Sequence, residues 1–272
     1  MANTKTCTLI GSDKGGVGKS LIAQIMVIAH EQAQQPLKVI EIDHQRKLTS
    51  IFKDRVDLSL DAGVGIAEAL KDRRAAETFY NGAYEMWASC DSVTDLGANV
   101  TTSLLSWIQH CDVTTIAAED GIRFRFIAIA TPDDQAIRSV TTAIEQARRT
   151  LGVDADLFIV LNDTAGTTGF APYENTEAWR RMIALQTTHG ARLVHLPYCN
   201  SAIMEWGRAW GLTIMQILEP ASEVMDKIAA EAKWGRVERH SHVRSFLSWV
   251  SAVQEAMYPI FADPDDHAIA AE

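Results

Sequence analysis

No stretch of the 272-residue chain approaches the roughly 18 uncharged apolar residues that a membrane helix needs. A membrane anchor is therefore not expected. Residues 1–5 run straight into a strand-like segment and offer no signal peptide. Cysteine is sparse: Cys7, Cys90, Cys111 and Cys199 are scattered, with no CxxC pair. That excludes a disulfide framework and a zinc knuckle and fits a reducing cytoplasm. The histidines do not gather at metal-ligand spacing; His240 and His242 lie two apart, with no acid or cysteine to complete a set. Positive charge is short as well. Lys and Arg number 25 against 35 Asp and Glu, leaving a net charge of −10. Such a chain is repelled by DNA overall, so any nucleic-acid contact must come from a local basic patch. Internal repeats and long linkers are missing, which favours one domain over residues 1–262. The acidic residues 263–272 that follow are expected to fray.

The composition that remains is ordinary for a globular protein, 47% hydrophobic and 22% charged. Apolar strand-like runs alternate with helical stretches. Strands are expected over residues 6–11, 37–43, 124–131, 156–162 and 192–196. Helices are expected over residues 19–34, 65–87, 134–151 and 174–189, with mostly helical structure from there to about 258. The pattern predicts an α/β fold, a mostly parallel central sheet flanked by helices on both faces.

The strongest local signal is Asp13-Lys14-Gly15-Gly16-Val17-Gly18-Lys19-Ser20, between the first strand and the first helix. A phosphate loop belongs at that position. Its glycines let the backbone curl so that N–H groups point at phosphate oxygens, and the helix that follows adds its positive N-terminal end. Lys19 is then placed to reach the β- and γ-phosphates, and the Ser20 hydroxyl to hold Mg²⁺.

Two details are unusual. Asp13 stands where the general phosphate-loop pattern has glycine, and Lys14 is a second lysine that ordinary phosphate loops do without. With them the string resembles the deviant phosphate loop of the ParA/MinD family of ATPases. The resemblance implies a Mg²⁺-dependent ATPase that closes a sandwich dimer on ATP, with Lys14 reaching the nucleotide of the partner subunit. It implies nucleotide binding by Gly15, Gly16, Val17, Gly18, Lys19, Ser20 and Leu21, the last standing where relatives commonly carry a second threonine.

Further segments are similar to the family pattern. The second strand ends Glu41-Ile42-Asp43-His44-Gln45, like the family's Asp-x-Asp-Pro-Gln segment. The resemblance gives Asp43 the role of orienting the attacking water. The Walker B acid is placed at Asp95, within residues 92–98, acting on Mg²⁺ through water; the strand before it is unusually polar. Asn162, at the end of an apolar strand, and Pro197, after another, resemble the residues that contact and wall the adenine. Residues 131–133, Thr-Pro-Asp, resemble a family turn.

Lys227, Lys233, Arg236, Arg239, His240, His242 and Arg244 form a local basic stretch, interrupted by Glu231 and Glu238. Relatives that bind DNA without sequence preference carry basic residues in this region, so Lys233, Arg236, Arg239 and Arg244 are the candidate DNA contacts. Phe246, Trp249, Val250, Val253 and Met257 recur at helical spacing and are read as a core-packing face rather than a membrane anchor. The resemblance implies a cytoplasmic ATPase, stimulated by a protein partner, that positions or maintains DNA cargo in plasmid partition, stability or conjugative transfer. The alternative is an ATP-switched assembly or regulatory factor for a secretion or polysaccharide-synthesis machine.

Overall fold

The computed structural model describes residues 4–52, 54–63, 78–166, 168–219 and 223–261. The elements run, in chain order, β1 (Lys5–Gly11), α1 (Lys19–Gln32), β2 (Lys38–Ile42), α2 (Lys47–Ile51), β3 (Leu58–Leu60), α3 (Asn81–Ser89), β4 (Ser92–Leu96), α4 (Val100–His110), α5 (Val113–Glu119), β5 (Ile122–Ala130), α6 (Asp134–Leu151), β6 (Asp156–Asn162), α7 (Glu177–His189), β7 (Arg192–Leu196), α8 (Ile203–Ala209), α9 (Ile214–Leu218), α10 (Val224–Glu231) and α11 (Arg236–Phe261). Most of the helix expected over residues 65–87 lies outside the described residues, as does the tail at 263–272. What is described of that helix is α3, which starts at Asn81.

The strands form one seven-stranded sheet in the order β3-β2-β4-β1-β5-β6-β7. Every neighbouring pair is parallel. The architecture is α/β, as the alternating pattern predicts. Side chains alternate across a strand, so each strand feeds two cores. Leu9, Phe126 and Leu157 pack on one face with α3 to α7. Their chain neighbours Ile10, Ile127 and Phe158 pack on the other with α1, α2 and α8 to α11. The apolar stripe of α11 is part of this second core, with Phe246, Trp249, Val253, Met257 and Ile260 all buried.

The polar strand β4 is the instructive one. It lies between β1 and β2, and every residue of it is buried. Its Thr94 hydroxyl accepts a hydrogen bond from the indole N–H of Trp87, itself fully buried in α3. Just before the strand, the Asp91 carboxylate accepts from the Thr6 backbone N–H. These contacts partner two of the buried polar groups of this segment, which lowers the cost of a polar strand in the sheet interior.

Because the sheet is parallel, all strand C-termini share one edge. The chain leaves β1 for β2, beyond β4, while the connection after β4 crosses past β1 to β5, so the crevice at the ends of β1 and β4 is the switch point where such folds bind ligands.

Candidate nucleotide site

The loop after β1 occupies that crevice. Gly18 precedes α1 with φ 106°, a left-handed conformation suited to glycine. A side chain there would also collide with Asn162, whose Nδ2 lies 2.5 Å from where a Cβ would sit. The first intrahelical bond of α1 runs from Ile22 N–H to Gly18 O. The N–H groups of Lys19, Ser20 and Leu21 therefore have no acceptor within the helix, and they sit at its positive end. Three converging N–H groups at a helix N-terminus suit an oxyanion. The Leu21 side chain turns away and packs on the second core, leaving its main chain as its contribution.

Lys19 is buried, and its ammonium donates to the Ser12 carbonyl at 2.9 Å and the Lys14 carbonyl at 3.0 Å. Burial pushes its pKa below the usual lysine value, while the Asp95 and Asp43 carboxylates oppose that shift. Ser20 donates its hydroxyl to Asp95 Oδ2 at 2.6 Å. Burial raises Asp95 to about 7, against the lowering effects of Ser20 and Lys19. Its second oxygen, Oδ1, is buried without a hydrogen-bond partner among the described residues. A serine hydroxyl beside a carboxylate with an unused buried oxygen is a hard-oxygen donor set that fits Mg²⁺.

Asp43 follows β2 at the same edge. Its backbone N–H donates to Leu60 O at 3.2 Å. Its carboxylate rests against Gly97, where a Cβ would come within 2.4 Å of Asp43 Oδ1. Glycine at 97 is what lets this acid lie over the end of β4. The other acid of the segment, Glu41, is fully buried and committed elsewhere. It accepts the backbone N–H of Leu48 at 2.5 Å and of Thr49 at 3.1 Å, fastening the first turn of α2.

Lys14, half-buried, pairs with Asp133 of its own chain. Asp133 also caps α6 by accepting the Ala136 N–H at 2.9 Å. In the sequence Asp133 stands out only as part of the Thr-Pro-Asp turn, yet an aspartate just before a helix is a recognisable N-cap signal. Asn162 donates its amide to the Val17 carbonyl at 2.9 Å, so the structure gives it a hold on the phosphate loop that the sequence did not suggest. The Pro197 carbonyl accepts the Trp249 indole N–H at 2.8 Å, tying α11 to the end of β7.

The basic stretch reaches the loop after β7, where the Ser201 hydroxyl donates to the His242 carbonyl at 2.9 Å. Lys233, Arg236 and Arg244 are exposed, whereas Arg239 is ion-paired with Asp226, and His242 stacks on Trp234 with ring centres 4.2 Å apart. Among the described residues no helix is long and apolar enough to cross a membrane.

No family model matches the chain, and no curated protein matches it. Among solved structures it is similar to an ATP complex of McdA from Cyanothece, at 13% identity over 86% of this chain and 99% of that one, with a TM-score of 0.46. It is also similar to the cell-division protein MinD of Aquifex aeolicus, at 13% identity over 80% of this chain and 93% of that one, TM-score 0.47. A ParA family ATPase from Chlorobium tepidum TLS is 14% identical over 82% of this chain and 95% of that one, TM-score 0.45. The all-parallel sheet, with the glycine-rich loop joining β1 to α1 at its switch point, is an α/β fold of the phosphate-loop type.

Proposed function

We propose that the chain is a Mg²⁺-dependent ATPase that dimerises around ATP and serves the positioning or maintenance of DNA cargo. The observation that carries this reading is the convergence of Lys19, Ser20, Asp95 and Asp43 on the switch-point crevice. Lys19 and the free N–H groups of α1 neutralise the β- and γ-phosphates, and Asn162 keeps the loop in shape around them. Ser20 would hold Mg²⁺ directly and Asp95 through water, and the bound ion would supply positive charge against the charge that builds on the leaving phosphate. Asp43 orients the attacking water and takes up its proton. Lys14, delivered across a dimer interface, adds a positive charge to the partner's γ-phosphate. Pro197 and Asn162 lie on the side of the crevice toward β6 and β7 and border the base.

Within this reading a protein partner stimulates turnover, and Lys233, Arg236 and Arg244 carry DNA contact with Arg239 at their edge. The Arg239–Asp226 pair, and a basic stretch interleaved with acids, keep the other reading in play: an ATP-switched assembly factor with little DNA affinity. The two differ in filter binding of nonspecific duplex DNA with and without ATP, which only the first reading expects to be ATP-dependent. The ATPase itself is tested by titration calorimetry and turnover. Lys19→Ala is expected to abolish measurable ATP binding in a folded chain. Asp43→Ala is expected to bind ATP and lose about 10²–10⁴-fold in hydrolysis. Unchanged ATP affinity in folded Lys19→Ala would overturn the site.

A further inference from the structure

At the opposite edge of the sheet, where β5, β6 and β7 begin, three arginines converge on one acid. Arg123 and Arg192 each donate from Nη2 to Asp156 Oδ1, at 3.1 and 3.2 Å. Arg125 brings its Nη2 to 3.9 Å from Asp156 Oδ2. Strand register sets this up: Arg125 pairs with Asp156 across β5 and β6, and Phe158 with Arg192 across β6 and β7. The Arg192 guanidinium lies over the Phe158 ring, 4.1 Å from its centre, which fixes the plane of the fork.

Three guanidinium charges against one carboxylate leave a local surplus of two, in a chain whose net charge is −10. The surplus is not simply solvated. The side chains of Arg125 and Asp156 are 9% and 11% exposed, and those of Arg123 and Arg192 each 33%. Arg125 Nε is buried without a hydrogen-bond partner among the described residues, and so is Asp156 Oδ2. Burial holds Arg125 and Arg192 below the usual guanidinium range, with Asp156 only partly offsetting it. Unbalanced buried charge is costly, and a counter-anion relieves it.

Arg123, Arg192 and Asp156 face a cavity of about 1060 Å³, which Arg148 and Arg149 also border. Arg148 is held by the carbonyls of Gly152, Val153 and His189, so its position is fixed by helix and strand ends. Glu119 and Asp154 are the opposing acids on the cavity wall, and Asp91 acts on Arg125 from behind. The planar forks of Arg123 and Arg192, each with N–H groups beyond the one given to Asp156, match the oxygens of a phosphate. A phosphomonoester near neutral pH carries a charge close to −2, opposite in sign to the guanidinium forks that face the cavity. The cavity is far larger than one phosphate group and admits a nucleotide-sized body.

We propose that this arginine-lined cavity is a second anion site, binding a small phosphorylated molecule at the sheet edge opposite the phosphate loop. The site is independent of the ATPase reading, because it shares no residue with the crevice at the end of β1.

Inorganic pyrophosphate is the probe, titrated calorimetrically into full-length Lys19→Ala so that the phosphate loop does not compete. Saturable binding is expected, weakened at least tenfold when Arg123→Ala and Arg192→Ala are added. Should that triple variant fail to fold, Arg149→Ala at the exposed rim replaces the pair and is expected to weaken binding about threefold. No saturable binding to the folded Lys19→Ala chain would overturn the proposal. So would binding that the arginine changes leave untouched, or duplex DNA binding through these arginines without pyrophosphate binding.

Discussion

The side-chain amide of Asn162, the last residue of β6, donates to the main-chain carbonyl of Val17 in the phosphate loop at 2.9 Å. The two residues stand 145 positions apart in sequence. The contact is closed by Gly18, which has no side chain to keep Asn162 away. A residue read from sequence as a base contact thus has a hold on the glycine-rich loop after β1.

That relationship makes Asn162→Ala informative. Loss of one buried hydrogen bond, with the Val17 carbonyl left unpaired, costs about 1–3 kcal/mol, or roughly five- to 150-fold in affinity. If the loop is what Asn162 supports, ATP and inorganic triphosphate should weaken together in calorimetry. A loss confined to ATP would return Asn162 to the base. Asn162→Asp is expected to be worse than alanine for both, since it sets a carboxylate against a carbonyl and close to phosphate charge.

The fold and the loop were legible because they depend on short-range signals. Alternating apolar runs and helical periods mark the strands and helices, and β6, α6 and β7 fall on the expected residues. Glycine spacing marks the loop. What was not legible depends on contacts between distant segments. Strand β4 looks too polar to be central until Trp87 is seen to satisfy Thr94. Glu41 sits in the motif position of an acid, yet its oxygens hold the start of α2, which nothing in the local pattern announces. Asp133 carried a cap signal, but its pairing with Lys14 spans 119 positions and no periodicity encodes it.

The Trp87–Thr94 pair explains how a polar strand carries Asp95 into the crevice, and a double-mutant cycle measures it. Trp87→Phe removes the donor and some volume from a fully buried site and should cost about 1–3 kcal/mol in urea unfolding. Thr94→Val removes the acceptor. Replacing both with apolar groups leaves no orphaned partner, so the double variant should lose less than the sum, with a coupling of about 0.5–3 kcal/mol. Strict additivity would show that the indole N–H does not stabilise the strand.

Asp133 provides a pH-dependent readout of the loop. Its hydrogen bond with Lys14, then the Ala136 N–H, holds the carboxyl below the ordinary aspartate value. The sign follows: a depressed carboxylate adds stability above the unfolded value, near pH 3.9, and loses it as pH falls through its own lower value. Both side chains are partly open to solvent, which screens the pair, so the stability involved is small. Carbon-detected NMR titration should find Asp133 displaced upward in Lys14→Ala, yet still below the usual range because the helix cap remains. No displacement would mean that the ion pair does not form in solution.

Lys14 is the residue on which the dimer model turns. In the single chain its ammonium is held by Asp133, so reaching a partner's nucleotide requires giving up that contact. Lys14→Ala should retain ATP binding, because Lys19 and the N–H groups of α1 remain, and lose ATP-dependent dimerisation by size-exclusion with light scattering. Asp133→Asn weakens the competing contact while keeping a cap acceptor for Ala136, and should dimerise on ATP at lower protein concentration than wild type. Mixing separates action in trans from action in cis. In a mixture of Lys14→Ala and Lys19→Ala subunits, each inactive alone, the Lys14→Ala subunit holds ATP and its Lys19→Ala neighbour supplies an intact Lys14. Partial recovery of hydrolysis is expected. If the mixture stays inactive while Lys14→Ala dimerises on ATP as well as wild type does, the lysine acts within its own chain, and a monomeric nucleotide switch becomes the better account.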